Sequence, residues 1–301
     1  MSRVLALTTP PSLARLYAKA LRRTRSRRSP SLPALELELS AVSVDRDHLA
    51  AYDRVCGFRV SDRLPPTYPH VIAFPLQIRL MTDETFPFPL AGLVHVRNVI
   101  TQRRTLEAGT RLRLRVRARR LAANPKGAQV DLVCEAYPAE VDTDADPFWS
   151  SCSTYLARGA QVADGTTADP VASPAVDVSQ LPTGSSATWR VAKDTGRQYA
   201  RVSGDINPIH LHPLGARLFG FPGPIAHGMW TKARCLAALD SRLPDAMTVD
   251  VAFLQPLSLP STARFAARAT PGSAGGWTFG VLPVGEGRPH VMGTVGPAGP
   301  S

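Results

Sequence analysis

Acidic residues are missing from the first thirty positions of this 301-residue chain, cysteine is scarce, and no apolar run is long enough to cross a bilayer. The missing run excludes an integral helical membrane protein. No apolar core followed by a small-residue cleavage site marks a secretory signal at the N-terminus. The four cysteines, Cys56, Cys134, Cys152 and Cys235, are far apart and form no CxxC pair. That spacing argues against a zinc site and against a disulfide framework, and a reducing cytoplasm is the simplest location. The net charge of +11 resembles a nucleic-acid signal until its distribution is read. Arg3, Arg15, Lys19, Arg22, Arg23, Arg25, Arg27 and Arg28 carry eight of those charges, leaving +3 for the rest of the chain. The basicity therefore belongs largely to an N-terminal arm, residues 1–30, expected to be flexible or a short basic helix. A membrane surface, a nucleic acid or an organelle-targeting role is the alternative use of such an arm. No nucleic-acid partner is expected for the rest.

What is present divides the chain. The stretch ARGAQVADGTTADPVASPAVDVSQLPTGSS is rich in Ala, Gly, Pro, Ser and Thr without helical or strand periodicity, and reads as a linker over 159–186. It separates an N-terminal domain, 31–158, from a C-terminal domain, 187–301. The two halves share a pattern. In the first, TYPHVIAFPLQIRLMTDETFPFP, broken by Pro75, precedes the strand-like LVHVRNVI, RLRLRVRARRL, AQVDLVCEAYP and PFWSSCSTYLA. In the second, the amphipathic AHGMWTKARCLAALDSRLP precedes MTVDVAFLQPL, TARFAARAT, GWTFGVLPV and HVMGTVG. Period-two alternation and β-branched or aromatic enrichment mark the strands. Consecutive strands without intervening helices pair antiparallel. The fold class is α+β: a helix against an antiparallel sheet, made twice.

Arg111, Arg113, Arg115, Arg117 and Arg119 alternate with Leu112, Leu114, Val116 and Ala118, which on a strand puts the arginines on one face. The expectation is a wet outer sheet face, with docking of nucleotide phosphates or an acidic carrier protein as the alternative.

Chemistry concentrates in VSGDINPIHLHP, residues 202–213. Asp and Asn bond nearby backbone groups in turns, and Pro208 fixes its own φ while biasing Asn207 towards an extended backbone. A turn and helix cap would explain any one of these residues. Three convergent polar groups, Asp205, Asn207 and His210, suggest more. A second landmark follows at PIAHGMWTKARCLAAL, where Gly228 falls at or near a helix start. Unpaired N–H groups there suit a thioester carbonyl whose oxygen becomes negative in the transition state. Asp205 and His210 would hold a water or exchange a proton with a substrate hydroxyl.

The stretch YARVSGDINPIHLHPLGA resembles the motif of (R)-specific enoyl-CoA hydratases, the hydratase 2 or MaoC-like family, in Tyr199, Ser203, Gly204, Asp205, Asn207, Pro208, Ile209, His210 and Ala216. GFPGPIAHGMW is similar to its second block. The first half lacks the motif and resembles the degenerate N-terminal domain of double-hotdog members, especially actinobacterial MaoC-like dehydratases. The resemblance implies a tandem double hotdog. It implies a (3R)-hydroxyacyl-thioester dehydratase, reversibly an (R)-specific enoyl-thioester hydratase, with Asp205 and His210 as the catalytic pair. Asn207 would orient the pair, the Gly228 N–H would polarise the thioester, and Ser203, Pro208, His227 and Met229 would lie against the substrate. No metal and no redox cofactor are implied; the carrier is CoA or acyl carrier protein, and the protein a monomer or homodimer. His212 stands where many members have an acid, and the basic arm is atypical.

Two rival readings carry weight: a hotdog thioesterase, and a non-catalytic binding protein for acyl thioesters or their carrier. His70 and His95, without an acid nearby, read as surface or interface residues. Cys235 reads as core. GSAGG, 272–276, lacks the lysine of a phosphate loop and reads as a hairpin turn.

Overall fold

Alternation writes the strands of this protein, and a computed structural model shows how they pair. It describes residues 3–22, 31–140, 146–162, 179, 181 and 187–298. In chain order the first half forms β1 (Arg3–Leu7), α1 (Leu13–Arg22), β2 (Leu35–Val42), α2 (Arg46–Cys56), α3 (Tyr68–Ile72), α4 (Phe74–Met81), β3 (Leu93–Gln102), β4 (Leu112–Asn124), β5 (Gly127–Pro138) and β6 (Trp149–Arg158). The second half forms β7 (Ala187–Val191), α5 (Thr195–Ser203), α6 (Pro208–Leu211), α7 (Pro213–Leu218), α8 (Gly228–Ala237), β8 (Met247–Phe253), β9 (Ser261–Ala269), β10 (Trp277–Pro283) and β11 (Val291–Gly296). The expected linker lies almost wholly outside the described residues, as do residues 23–30 of the arm.

The chain gathers into two units that are not contiguous in sequence. One comprises Met1–Val44, Pro69–Asn98 and Gly109–Ala172; the other comprises Asp45–Tyr68, Val99–Ala108 and Ser173–Ser301. Helix α2 and the loop after it thus belong to the second unit, together with residues 99–108. Pairing of apolar faces decides membership: Tyr52 of α2 packs its ring 6.2 Å from Tyr199 of α5, and Trp230 of α8 donates its indole N–H to the Val55 carbonyl at 3.0 Å.

In the first unit the strands lie in the order β1-β2-β4-β5-β6-β3. The arm is more ordered than its charge suggested. Residues 3–7 add a parallel edge strand to β2, and α1 packs on α4 with Leu16 buried. Arg15 and Lys19 of α1 stay exposed. Pro75 sits in the first turn of α4, where its missing N–H costs nothing, and so splits the expected central helix into α3 and α4.

The arginine stripe is wet only at its ends: Arg111 and Arg119 are exposed, while the three arginines between them are packed or paired within the protein. Leu112, Leu114 and Val116 are fully buried, while Arg115 reaches Glu38 at 2.6 Å and Glu36 at 3.7 Å. Arg113 is 5% exposed with its guanidinium over the Tyr137 ring, and Arg117 forms a two-pronged pair with Glu135 at 2.6 and 2.7 Å. A bulge at Arg120 (φ 53) shifts the register, so that Leu121 rather than Arg120 takes the inward face and Arg120 turns to Asp131. His70, expected at a surface or an interface, is instead buried, while His95 is half-buried. His70 is 3% exposed, its ring stacks near His95 at 6.3 Å, and His95 stacks on Tyr155 at 4.6 Å.

In the second unit the order is β8-β11-β10-β9-β7, all antiparallel. Ala233, Cys235 and Leu236 of α8 and Val249, Val251, Phe279 and Val281 of the sheet are all fully buried. Cys235 is core, as its helical position suggested, and burial pushes its thiol far up. The GSAGG segment is the turn between β9 and β10, closed by a Thr270 N–H to Gly276 carbonyl bond of 2.8 Å.

Candidate active site

The catalytic motif folds as a chain of short caps. Helix α5 ends at Gly204 in the left-handed region (φ 74), where a side chain would be strained, and the Gly204 N–H closes on the Ala200 carbonyl at 2.9 Å. The next residues turn on their own side chains. The Asp205 N–H donates to the Ser203 hydroxyl at 3.2 Å, the Asn207 N–H donates to Asp205 Oδ1 at 3.2 Å, and the Ile209 N–H donates to Asn207 Oδ1 at 3.4 Å. Asn207 is thus the N-cap of α6, with Pro208 at the first helical position. His212 then caps α7: its Nδ1 accepts from the Leu214 N–H at 3.2 Å.

An apolar cluster holds this loop down. Ile209, Ala216, Phe221 and Ile225 are buried together, with Phe219 against them. The Ile225 N–H bonds the Ile209 carbonyl at 3.1 Å, and the Ile225 carbonyl accepts from His210 Nδ1 at 2.8 Å. Since a carbonyl only accepts, His210 carries its proton on Nδ1 and keeps the Nε2 lone pair. Burial lowers the His210 pKa from its ordinary value, against the opposing pull of Asp205 and of the Ile225 carbonyl. The imidazole is therefore neutral at pH 7 and available as a base.

His227 sits deep beside His210. It is 2% exposed, its ring stacks on His210 with centroids 3.7 Å apart at 25°, and its Nε2–H donates to the Asp205 main-chain carbonyl at 3.0 Å. The Tyr199 ring is tilted against it at 4.9 Å. Burial first, then the neighbouring His210, pushes the His227 pKa down to about 3. Asp205, His210 and His227 each place one ligand-type atom within 4.8 Å of the others, the one grouping of this kind among the described residues that a metal ion could use. Both histidines, however, already spend one ring nitrogen on a backbone carbonyl.

Gly228 is the first residue of α8, so its N–H has no carbonyl one turn back to bond. A Cβ on Gly228 would come within 2.9 Å of the Phe253 ring. The Gly228→Ala protein is expected to keep its fold but lose roughly tenfold in kcat, since displacing a catalytic group by 1 Å costs about 10²-fold; circular dichroism and a rate assay check it. Met229 is buried at the next position, Ser203 braces Asp205, and Pro208 is exposed at the loop surface. The Ile225 carbonyl and the depth of His227 escaped the sequence reading. A backbone acceptor has no residue signature, and a His-Gly pair does not reveal which way its ring faces.

A helix against an antiparallel sheet, made twice, with an acid and a neutral imidazole on a capped loop, defines a hotdog protein of hydro-lyase type. The pattern of the MaoC like domain matches residues 173–274. The chain is 35% identical over 268 residues to 3-hydroxyacyl-thioester dehydratase X of Mycobacterium tuberculosis, covering 89% of this chain and 91% of that one. The crystal structure of HtdX from the same organism matches with a TM-score of 0.73 and 33% identity, over 86% of this chain and 98% of that one. A Mycobacterium tuberculosis protein described as having a double hotdog fold matches at a TM-score of 0.55 and 13% identity, over 93% of this chain and 97% of that one. The chain belongs to the MaoC-like dehydratase family, and its fold is a tandem double hotdog.

Proposed function

We propose that this protein is a (3R)-hydroxyacyl-thioester dehydratase, and in reverse an (R)-specific trans-2-enoyl-thioester hydratase. The observation that carries the reading is the His210 imidazole, held neutral with its Nε2 lone pair free of the Ile225 bond and beside the Asp205 carboxylate. In dehydration, His210 Nε2 takes the α-proton, and negative charge moves onto the thioester oxygen. The Gly228 N–H at the start of α8 meets that oxygen. The Cβ–O bond then breaks, and the proton on His210 returns to the departing hydroxyl, which leaves as water. Asp205 holds that water and stabilises the imidazolium. One imidazole handles both transfers, so atoms and charge balance without a metal or redox cofactor.

The substrate is an acyl thioester on CoA or on an acyl carrier protein, as in fatty-acid metabolism. Four free thiols, three of them buried, fit a cytoplasmic setting. Among the described residues, no helix is long and apolar enough to cross a membrane.

The test is hydration of crotonyl-CoA, of a longer trans-2-enoyl-CoA and of the same enoyl groups on an acyl carrier protein. Loss of enoyl-thioester absorbance and an (R)-3-hydroxy product are expected. Thiol release from a saturated acyl-CoA, with the enoyl absorbance untouched on every carrier, would replace this reading with a thioesterase.

A further inference from the structure

We propose that His227 is a positioning residue of this reaction: it ties down the Asp205 main chain with its Nε2–H and stacks its ring on His210, fixing the two catalytic groups relative to each other. The inference rests on the dehydratase reading above. Three contacts carry it. The Nε2–H bond to the Asp205 carbonyl is 3.0 Å, and the same nitrogen lies 3.8 Å from Asp205 Oδ2. The His210 ring centroid is 3.7 Å away, and the planes are within 25° of parallel. Tyr199, itself 2% exposed, lies with its ring centroid 4.9 Å from that of His227. One side chain thus touches both members of the pair.

Chemistry explains why this position takes a histidine rather than any flat ring. His227 donates from Nε2, so its Nδ1 is unprotonated, and that atom is buried with no hydrogen-bond partner among the described residues. The ring is a neutral imidazole with an electron-rich face turned towards His210. When His210 takes the substrate proton, its imidazolium lies against that face, an arrangement of cation–π type. The titratable groups facing His227 are Asp205, His210 and Tyr199, and a second positive charge beside the His210 imidazolium would oppose the step. A ring without the N–H would stack but leave the Asp205 carbonyl unbonded. A side chain with the N–H but no ring would do the reverse.

Two variants separate the parts. His227→Phe keeps a flat ring and loses the donor; His227→Gln keeps a donor and loses the ring. With His227→Phe, kcat is expected to fall about 10²-fold while KM stays nearly constant, the scale of a misplaced catalytic group. His227→Gln should recover part of that loss, and in both the acid limb of the kcat profile should move as the His210 titration moves. Nitrogen-15 spectra of histidine-labelled wild-type protein test the same claim without any substitution. His227 should show the Nε2–H tautomer and no titration between pH 5 and 8. A His227→Phe protein that turns over within threefold of wild type, while Asp205→Asn is inactive, overturns the inference and leaves the dehydratase reading standing. A His227 signal titrating near pH 6.5 in the wild type also overturns it. No enoyl-thioester turnover by the wild type on any carrier strikes the dehydratase reading itself, whereas activity surviving in Asp205→Asn removes Asp205 from the chemistry and with it the pair that His227 would position.

Discussion

Asp205→Asn protein is expected to melt as wild type does and to lose roughly 10²- to 10⁴-fold in kcat, the range for a group engaged in proton transfer. The fold should survive because asparagine keeps the atom the turn needs. The Asn207 N–H bonds Asp205 Oδ1 at 3.2 Å, and an amide oxygen accepts equally well. The side chain is 29% exposed, so the swap neither buries nor releases a charge in the core. What disappears is the negative charge beside His210. That charge favours the imidazolium, working against the burial that lowers the His210 pKa. Wild-type kcat/KM should therefore fall on the acid side, below the ordinary histidine value, as His210 protonates and ceases to be a base. In Asp205→Asn the acid limb should move to still lower pH while the plateau collapses. Near wild-type turnover would mean that Asp205 only shapes the loop.

The motif was legible in the sequence because every part of it is a local rule. Gly204 ends a helix, Asn207 begins one, and Pro208 occupies the first turn; each choice is written within four residues. Even Ala216, a bare motif position in the sequence, has a visible reason once folded: it is fully buried against Ile209 under the loop. The strands of both halves were equally readable, since a period of two survives any tertiary arrangement. Illegible were the contacts that join distant segments. Nothing in RDHLAAYDRVC says that its Tyr52 will meet Tyr199, or that the Val55 carbonyl will receive Trp230, so the membership of α2 in the second unit could not be read. The arginine stripe misled for a related reason. Alternation places charges on a face but does not show that Glu36, Glu38 and Glu135 stand opposite them in neighbouring strands. The arm misled because eight cations drew attention away from RVLAL, whose alternating residues add an edge strand.

Replacing Asp53 with Asn should stabilise the protein more at pH 8 than at pH 5, by roughly 2–3 kcal/mol. Asp53 lies in the last turn of α2, fully buried, and neither carboxylate oxygen has a hydrogen-bond partner of good geometry among the described residues. A helix C-terminus is the wrong end for an anion. Burial raises the Asp53 pKa to about 7, Asp240 adds to the rise, and the Ser61 N–H and Arg54 offset it only in part. The sign follows from proton counting. Between the ordinary carboxylate value of 3.8 and about 7, the folded protein holds a proton on Asp53 that the unfolded chain has released. Stability from this group therefore drops as pH rises through that window and levels off above it. Asparagine imitates the protonated form at every pH, so the variant's advantage should grow across the same window. His210 and His227, whose lowered pKa values make stability fall on the acid side, act alike in both proteins and cancel in the comparison. Thermal unfolding of the pair at pH 5, 6, 7 and 8 reads the difference directly, and an advantage that stays flat across the series would place the Asp53 carboxylate in a solvated or paired environment.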